Sequence, residues 1–343
     1  MASVGSTSGA APRLLMVRAV AAQLIAAALI LGADAAWAQG AAPTGPPPLT
    51  QVERRTLAAI VADPPPPKLL NNQHYVVSDE HRPERFRPAI DGRGSLLVGV
   101  GTDQNYLFAG WARPELVVVV DFDQAVVDLH TAYRAFFERA EDADEFIDFW
   151  SASEAARERA AAAIAEVCST ADQLRRVQHS MKIARHLVHG RLTNLRARFI
   201  ADGVPTLLND PAQYRYVASL VRSGRVVAVR GDVTGPRTMK HVAESARQLG
   251  LVVRVLYLSN VEQYVRYSER FRDNVRALPV DGRSVVLRTY HQGPGRGYVY
   301  AVQRADHFRA WLLRREVKTL GDMLFRARMP TVGPLISLAG PPR

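Results

Sequence analysis

Leu96-Leu97-Val98-Gly99-Val100-Gly101-Thr102-Asp103-Gln104-Asn105-Tyr106, followed by Leu116-Val117-Val118-Val119-Val120-Asp121-Phe122-Asp123, is the stretch that decides the fold. The first run is apolar and ends in glycine, and Tyr106 to Arg113 then carries a helix-like pattern closed by Pro114. The second is an unbroken apolar run, as a strand buried on both faces requires, and it stops at two aspartates. Val126, Leu129, Tyr133 and Phe136 follow at helical spacing. Strand, helix, strand, helix within about forty residues predicts right-handed parallel crossovers.

Further along, Val226 to Val229 and Val252 to Leu258 read as strands, separated by a helix from Pro236 to Leu249 with Gly250 as its C-terminal cap. Thr234-Gly235-Pro236 reads as the start of that helix, and Ser259 with Glu262 as a capping box for another from Val261. Ser284 to Thr289 and Tyr298 to Val302 flank a loop rich in Gly and Pro, so the sheet is expected to close on an antiparallel pair.

Residues 138–223 show no strand. Thr170 with Gln173 makes a capping box, and Leu174, Val177, Met181, Ala184, Val188, Leu192, Leu195 and Phe199 then alternate steps of three and four, the mark of a long amphipathic helix. Its other face holds Arg175, Lys182, Arg185, His186, His189 and Arg196, whereas residues 138–148 are acidic, so the two sets are expected to be solvated or to pair. His186 and His189 have no carboxylate motif beside them, and no metal is expected. The fold class is therefore α/β: a Rossmann-like, mostly parallel sheet with a C-terminal antiparallel strand pair and a helical insertion at 138–223.

Both ends read differently from this domain, which is expected over residues 68–329. Residues 1–38 carry the marks of a signal peptide: Arg13 and Arg18, an apolar run from Ala19 to Gly32, and the small-x-small site Ala36-Trp37-Ala38. Gln23 and Asp34 leave the apolar stretch shorter than the roughly 20 residues of a membrane span, so export, to a bacterial periplasm, is expected, with no membrane span after cleavage. Residues 39–67, with Gly45-Pro46-Pro47-Pro48 and Pro64-Pro65-Pro66-Pro67, read as a proline-rich tether with one short helix from Leu49 to Val61. Residues 330–343 read as an irregular tail. The lone cysteine, Cys168, excludes an intramolecular disulfide and a thiolate metal cluster.

Charge is the obvious global feature. The net charge of +11 comes from 44 Lys and Arg against 33 Asp and Glu, and lysine occurs only at Lys68, Lys182, Lys240 and Lys318. Arginines scattered along the chain, and not massed in one stretch, argue against a nucleic-acid partner. With 48% hydrophobic residues, the chain also has the apolar content for a sizeable core, which excludes disorder.

In an open parallel sheet, ligands bind beyond the carboxyl ends of the strands, where strand order reverses. The residues so placed are Gly99, Gly101, Thr102, Asp103, Gln104 and Asn105; Asp121 and Asp123; Asp232, Thr234 and Gly235; and Ser259, Asn260 and Glu262. Tight turns and helix caps account for some of them, but not for Asp121 at the end of a buried strand, nor for the run Asp103-Gln104-Asn105 packed into the first-strand turn. Asp121 follows Gly101 by about twenty residues, the interval at which a strand-end acid reaches a ribose whose attached group lies over the glycine turn.

The glycine turn, the strand-end acid and the closing antiparallel pair resemble the class I S-adenosylmethionine-dependent methyltransferase fold, over about 95–135 and 225–303. The runs Val98 to Tyr106, Asp121-Phe122-Asp123, Gly231-Asp232 and Tyr257 to Tyr264 more closely resemble an uncharacterised bacterial exported family that carries the motifs GVGxDQNY and YxSNVEQY. The methyltransferase resemblance implies a sheet of that type with S-adenosylmethionine as cofactor. It also implies cofactor contacts from Gly99, Gly101, Asp103, Gln104, Asn105, Asp121 and Asp123, and leaves Asp232, Ser259, Asn260 and Glu262 for a substrate. No catalytic base is identifiable. The competing expectation is a non-catalytic exported protein that binds a small molecule or a partner on the same scaffold. A hydrolase built on Asp121, Asp123 or Asp232 with His130 ranks below both, because His130 lies two helical turns beyond Asp123.

Overall fold

The computed structural model describes residues 45–291, 297–332 and 335–342. The signal-peptide reading, the first residues of the tether and the loop at 292–296 lie outside the described residues. Among the described residues, eight strands form one sheet: β1 (Leu96–Val100), β2 (Leu116–Asp121), β3 (Val226–Arg230), β4 (Val253–Tyr257), β5 (Val285–His291), β6 (Tyr298–Arg304), β7 (Thr331–Val332) and β8 (Leu335–Leu338). Their order is β3-β2-β1-β4-β5-β6-β8-β7. The pairs from β3 to β5 are parallel, β5 and β6 are antiparallel, β6 and β8 parallel, and β7 and β8 antiparallel. The 3-2-1-4-5 arrangement is Rossmann-like, with strand order reversing between β1 and β4.

Alternation along the strands builds two cores. Leu97, Val117, Val119, Val255, Tyr257 and Leu287 face one side; Leu96, Val98, Leu116, Val118, Val120, Leu256 and Val286 face the other, as the two-residue period of a strand dictates. The first core is roofed by α3 (Gln104–Ala112), α4 (Gln124–Arg139), α5 (Ala143–Asp148), α6 (Glu154–Val167), α7 (Ala171–Ala201) and α8 (Pro211–Arg222). The second is covered by α1 (Gln51–Ala58), α9 (Thr238–Gln248), α10 (Glu269–Ala277), α11 (Ala305–Leu312) and α12 (Leu320–Arg326). A short helix, α2 (Arg87–Ile90), leads into β1. Among the described residues, no helix is long and apolar enough to cross a membrane.

The expected helical insertion is α5 to α8, which follow α4 without an intervening strand. Its acidic stretch and the basic face of α7 meet at Arg196 with Asp144, while Asp148 pairs with Arg159 of α6. Thr170 caps α7 through the Gln173 N–H at 3.1 Å, but the Gln173 side chain bonds the Ser169 N–H, so the capping box is only half formed.

Several local expectations are corrected. The stretch 45–67 is not a free tether: Leu49, Leu57, Ile60 and Asp63 are buried, because proline-rich chain here lays a few apolar side chains into the second core. The tail is not irregular, since β7 and β8 extend the sheet and Leu335 and Leu338 are buried. Helix α9 does not start at Thr234-Gly235-Pro236. It begins at Thr238 with no side-chain cap of its own, and Asp63 supplies one from a distance: its carboxylate accepts the Arg237 and Thr238 N–H groups at 2.8 and 3.3 Å. The helix expected from Val261 is a single 3-10 turn, Val261–Gln263, and α10 starts only at Glu269. Ser259 and Glu262 form no capping box, since both side chains are committed to other partners.

Candidate functional site

The crevice beyond β1 and β4 is filled by the chain itself. The segment leading into β1 crosses the strand ends, and Glu80, flanked by the exposed Asp79 and His81, projects its side chain inward to complete burial. Its carboxylate accepts from Ser259 Oγ at 2.7 Å, after β4, and from Thr289 Oγ1 at 2.6 Å, on β5. Gln104 Nε2 donates to the other oxygen and to the Tyr257 hydroxyl at 2.9 Å. Burial pushes the Glu80 carboxyl up, and the Thr289, Ser259 and Gln104 bonds pull against it.

Arg191, from the middle of α7, seals the same place from the other side. Its Nε lies 3.0 Å from Asp103 Oδ2 and its Nη2 3.2 Å from Gln104 Oε1. Burial works against this guanidinium, but the charges of Asp103 and Glu80 outweigh it and hold its pKa above the ordinary value. The other Asp103 oxygen accepts the Ser78 N–H at 2.9 Å, and Thr102 Oγ1 donates to Val76 O at 3.1 Å. The helical insertion and the segment before β1 are thus tied together through the first-strand turn.

The residues predicted from the sequence therefore divide. Gly99 is open-sided for an internal reason: a Cβ there would overlap Asn105 Oδ1, so the glycine admits Asn105, whose Nδ2 donates to Val100 O at 2.9 Å. Asp103, Gln104 and Asn105 are consumed by the turn and its partners. Glu262 is a core residue, fully buried against Arg288 with closest atoms 2.6 Å apart, and it accepts from Tyr267 OH at 2.6 Å. Ser259 holds Glu80, and Asn260 Nδ2 donates to Tyr298 OH at 2.9 Å.

What stays at the surface is a rim over β1, β2 and β3. Gly101 has φ +81°, a conformation that favours glycine, and open space where a side chain would stand. Asp121, half-buried, accepts the Asp123 N–H at 2.9 Å, and burial pushes its carboxyl up to about 7, with the charges of Asp123 and Asp232 adding to the rise. Asp123 is not part of that surface: it is buried, caps α4 through the Ala125 N–H at 2.9 Å and meets His74 Nδ1 at 2.7 Å. Asp232 accepts from Thr234 N and Oγ1 at 2.7 and 2.8 Å. His130 is buried beneath this rim. Its Nε2 lies 3.0 Å from Gly101 O and its Nδ1 2.8 Å from Tyr106 OH, and burial pushes its pKa down to about 4, so it is a neutral strut. Among the described residues, no group of three or more His, Cys, Asp or Glu is arranged to hold a metal ion.

Residues 75–332 match the family described as Domain of unknown function (DUF7790). The chain belongs to that family. The DUF7790 span takes in Glu80, Arg191 and every strand-end residue named above, and leaves Asp63 and β8 outside it. No curated protein is similar enough to the chain to match it.

Two hollows lie away from the strand ends. One open hollow is lined by Arg196, Phe199 and Ile200 of α7 with Pro211 and Arg215 of α8; another, of about 300 Å³, is lined by Arg266, Arg272, Arg315 and Lys318. Neither contains a predicted site residue. Sequence reasoning missed Glu80, Arg191 and His74. His74 and Glu80 stood in a stretch with no element assigned, and Arg191 lay on the long helix outside its apolar periodicity, places where polar and charged residues are normally solvated.

Proposed function

We propose that this DUF7790 protein is a non-catalytic binding protein, exported after removal of residues 1–38, which keeps a Rossmann-like sheet and holds a small ligand or partner at the rim formed by Gly101, Asp121 and Asp232. The observation that carries this reading is Glu80. A buried carboxylate bonded to Ser259, Thr289 and Gln104 fills the place beyond β1 and β4 where Rossmann-like sheets take their ligands. An adenosyl group there would have to break three hydrogen bonds and uncover a buried Arg191–Asp103 pair.

Calorimetry with S-adenosylmethionine and S-adenosylhomocysteine tests it: neither is expected to bind with a Kd below about 1 mM. Saturable binding of either that Asp121→Ala abolishes would sink the proposal. The export part is checked by fractionation and by the mass of the mature chain, expected to begin at Gln39.

A second reading keeps a nucleoside-type ligand and is favoured by one observation, the open space over Gly101 beside the Asp121 carboxylate. In that case Glu80 competes with the ligand, and Glu80→Ala raises nucleoside affinity. No change in affinity on Glu80→Ala removes this reading.

A further inference from the structure

Six arginines that the sequence scatters between positions 93 and 309 meet at the far end of the sheet, where the parallel strands begin. They converge on residues 276–283, the end of α10 and the link from it to β5. At its start, Arg247 of α9 donates to Ala277 O, and Arg309 of α11 donates to Arg276 O at 3.0 Å and to Leu278 O. In the middle, Pro279 O accepts the Val253 N–H at 2.8 Å, which fixes the segment against β4. At its end, Arg254 pairs with Asp281 at 2.8 Å, Arg93 donates to Arg283 O, and Arg283 Nη2 lies 3.4 Å from Gly92 O.

Charge is not balanced here. Among the described residues, the acids paired with these six are Asp281 and Asp273, the latter 3.9 Å from Arg276. Burial, then repulsion from Arg283 and Arg254, pulls the Arg93 pKa below its ordinary value; burial, then Arg247 and Arg276, does the same to Arg309. The Nε groups of Arg254 and Arg309 are buried without an acceptor. Guanidinium groups solvating the last carbonyls of α10 explain Arg247 and Arg309. Arg283 reaches the Gly92 and Arg93 carbonyls only at 3.4 and 3.5 Å, and Arg276 has Asp273 at 3.9 Å, so carbonyl contacts account poorly for these two exposed arginines in an already cationic place.

We propose that this arginine face is a binding site for a phosphate-bearing anion. A phosphate accepts planar, bidentate bonds from guanidinium groups, and crowded arginines supply them with little reorganisation. The Arg247, Arg276 and Arg309 group and the Arg93, Arg254 and Arg283 group each offer one such cradle, so the site suits an anion with more than one phosphate or a surface of phosphate headgroups.

The test uses the full chain with two probes: inorganic tripolyphosphate by calorimetry, and vesicles of phosphatidylglycerol in phosphatidylcholine by co-sedimentation. Binding to at least one probe at low salt is expected, falling as salt rises. Arg276→Gln with Arg283→Gln should weaken it at least about tenfold, while Arg175→Gln with Arg326→Gln, which removes the same charge elsewhere, should change it less than about twofold. The Arg283→Gln single variant stands in if the double variant loses its fold. Tripolyphosphate binding alone identifies a soluble phosphate as the source, and vesicle binding alone a headgroup. Binding of neither probe, or equal loss in both double variants, overturns the proposal.

Discussion

The Glu80 carboxylate accepts a hydrogen bond from the Ser259 hydroxyl at 2.7 Å across 179 residues of chain. Glu80→Ala would strand two buried donors, Gln104 and Thr289, and the half-buried Ser259, and leave the Arg191–Asp103 pair without its neighbour. It should cost about 3–5 kcal/mol. Glu80→Gln, which keeps the shape and one acceptor oxygen, should cost clearly less. Urea denaturation of both variants measures the difference, and equal losses would mean that packing, not hydrogen bonding, holds the segment down.

Asp63 caps a helix that is 175 residues away in sequence. Asp63→Ala should destabilise the fold by about 1–2 kcal/mol, the ordinary value of a lost N-cap, whereas the same change at the exposed Asp91 should be near neutral. Thermal unfolding of both variants checks this. A silent Asp63→Ala would return residues 45–67 to the status of a tether.

Asp121 at the rim and His130 beneath it give opposite pH slopes. His130 has a folded pKa depressed to about 4, so its contribution is present above the unfolded value and is lost as pH falls toward 4. Asp121 has a folded pKa raised to about 7, so its contribution is present at acid pH and is lost as pH rises through 7. Between pH 4 and 7, His130→Asn should therefore make stability fall less on acidification, and Asp121→Asn should make it fall more. Urea midpoints at several pH values would read both, and slopes that move in the same direction would refute the assignment.

Arg288 and Glu262 are both fully buried, with 2.6 Å between their closest atoms. Removing one partner alone, as Arg288→Met or Glu262→Leu, should cost about 3–5 kcal/mol because it leaves a buried charge without its counter-ion. The double variant should cost much less than the sum. A double-mutant cycle by denaturant unfolding measures the coupling; strict additivity would show that the two charges do not act as a pair.

The parallel core was legible because its signal is local. The Leu96 to Val100 and Leu116 to Val120 runs mark strands by themselves, and the steps from Leu174 to Phe199 mark α7 without reference to anything they touch. Gly250, read as a helix stop, has φ +66° as that role requires. The misreadings were all at places where local chemistry had more than one use. Ser259, spaced from Glu262 like a capping box, turned to Glu80, and Thr234 bonded Asp232 without starting a helix. Proline-rich chain at 45–67 looked solvated because its few buried side chains, Leu49, Leu57 and Ile60, are too widely spaced to form a period.

By itself, the sequence determined the first six strands, the insertion and the concentration of polar residues at the strand ends, since hydrophobic periodicity is written in neighbouring residues. Only the tertiary structure decided what those polar residues do. Hydrogen-bond and charge partners are chosen by proximity in space, so Glu80 could be matched to Ser259 and Thr289, and Arg191 to Asp103, only once the chain had folded. For the same reason, arginines that looked dispersed along 217 positions, from Arg93 to Arg309, became one cationic face around residues 276–283.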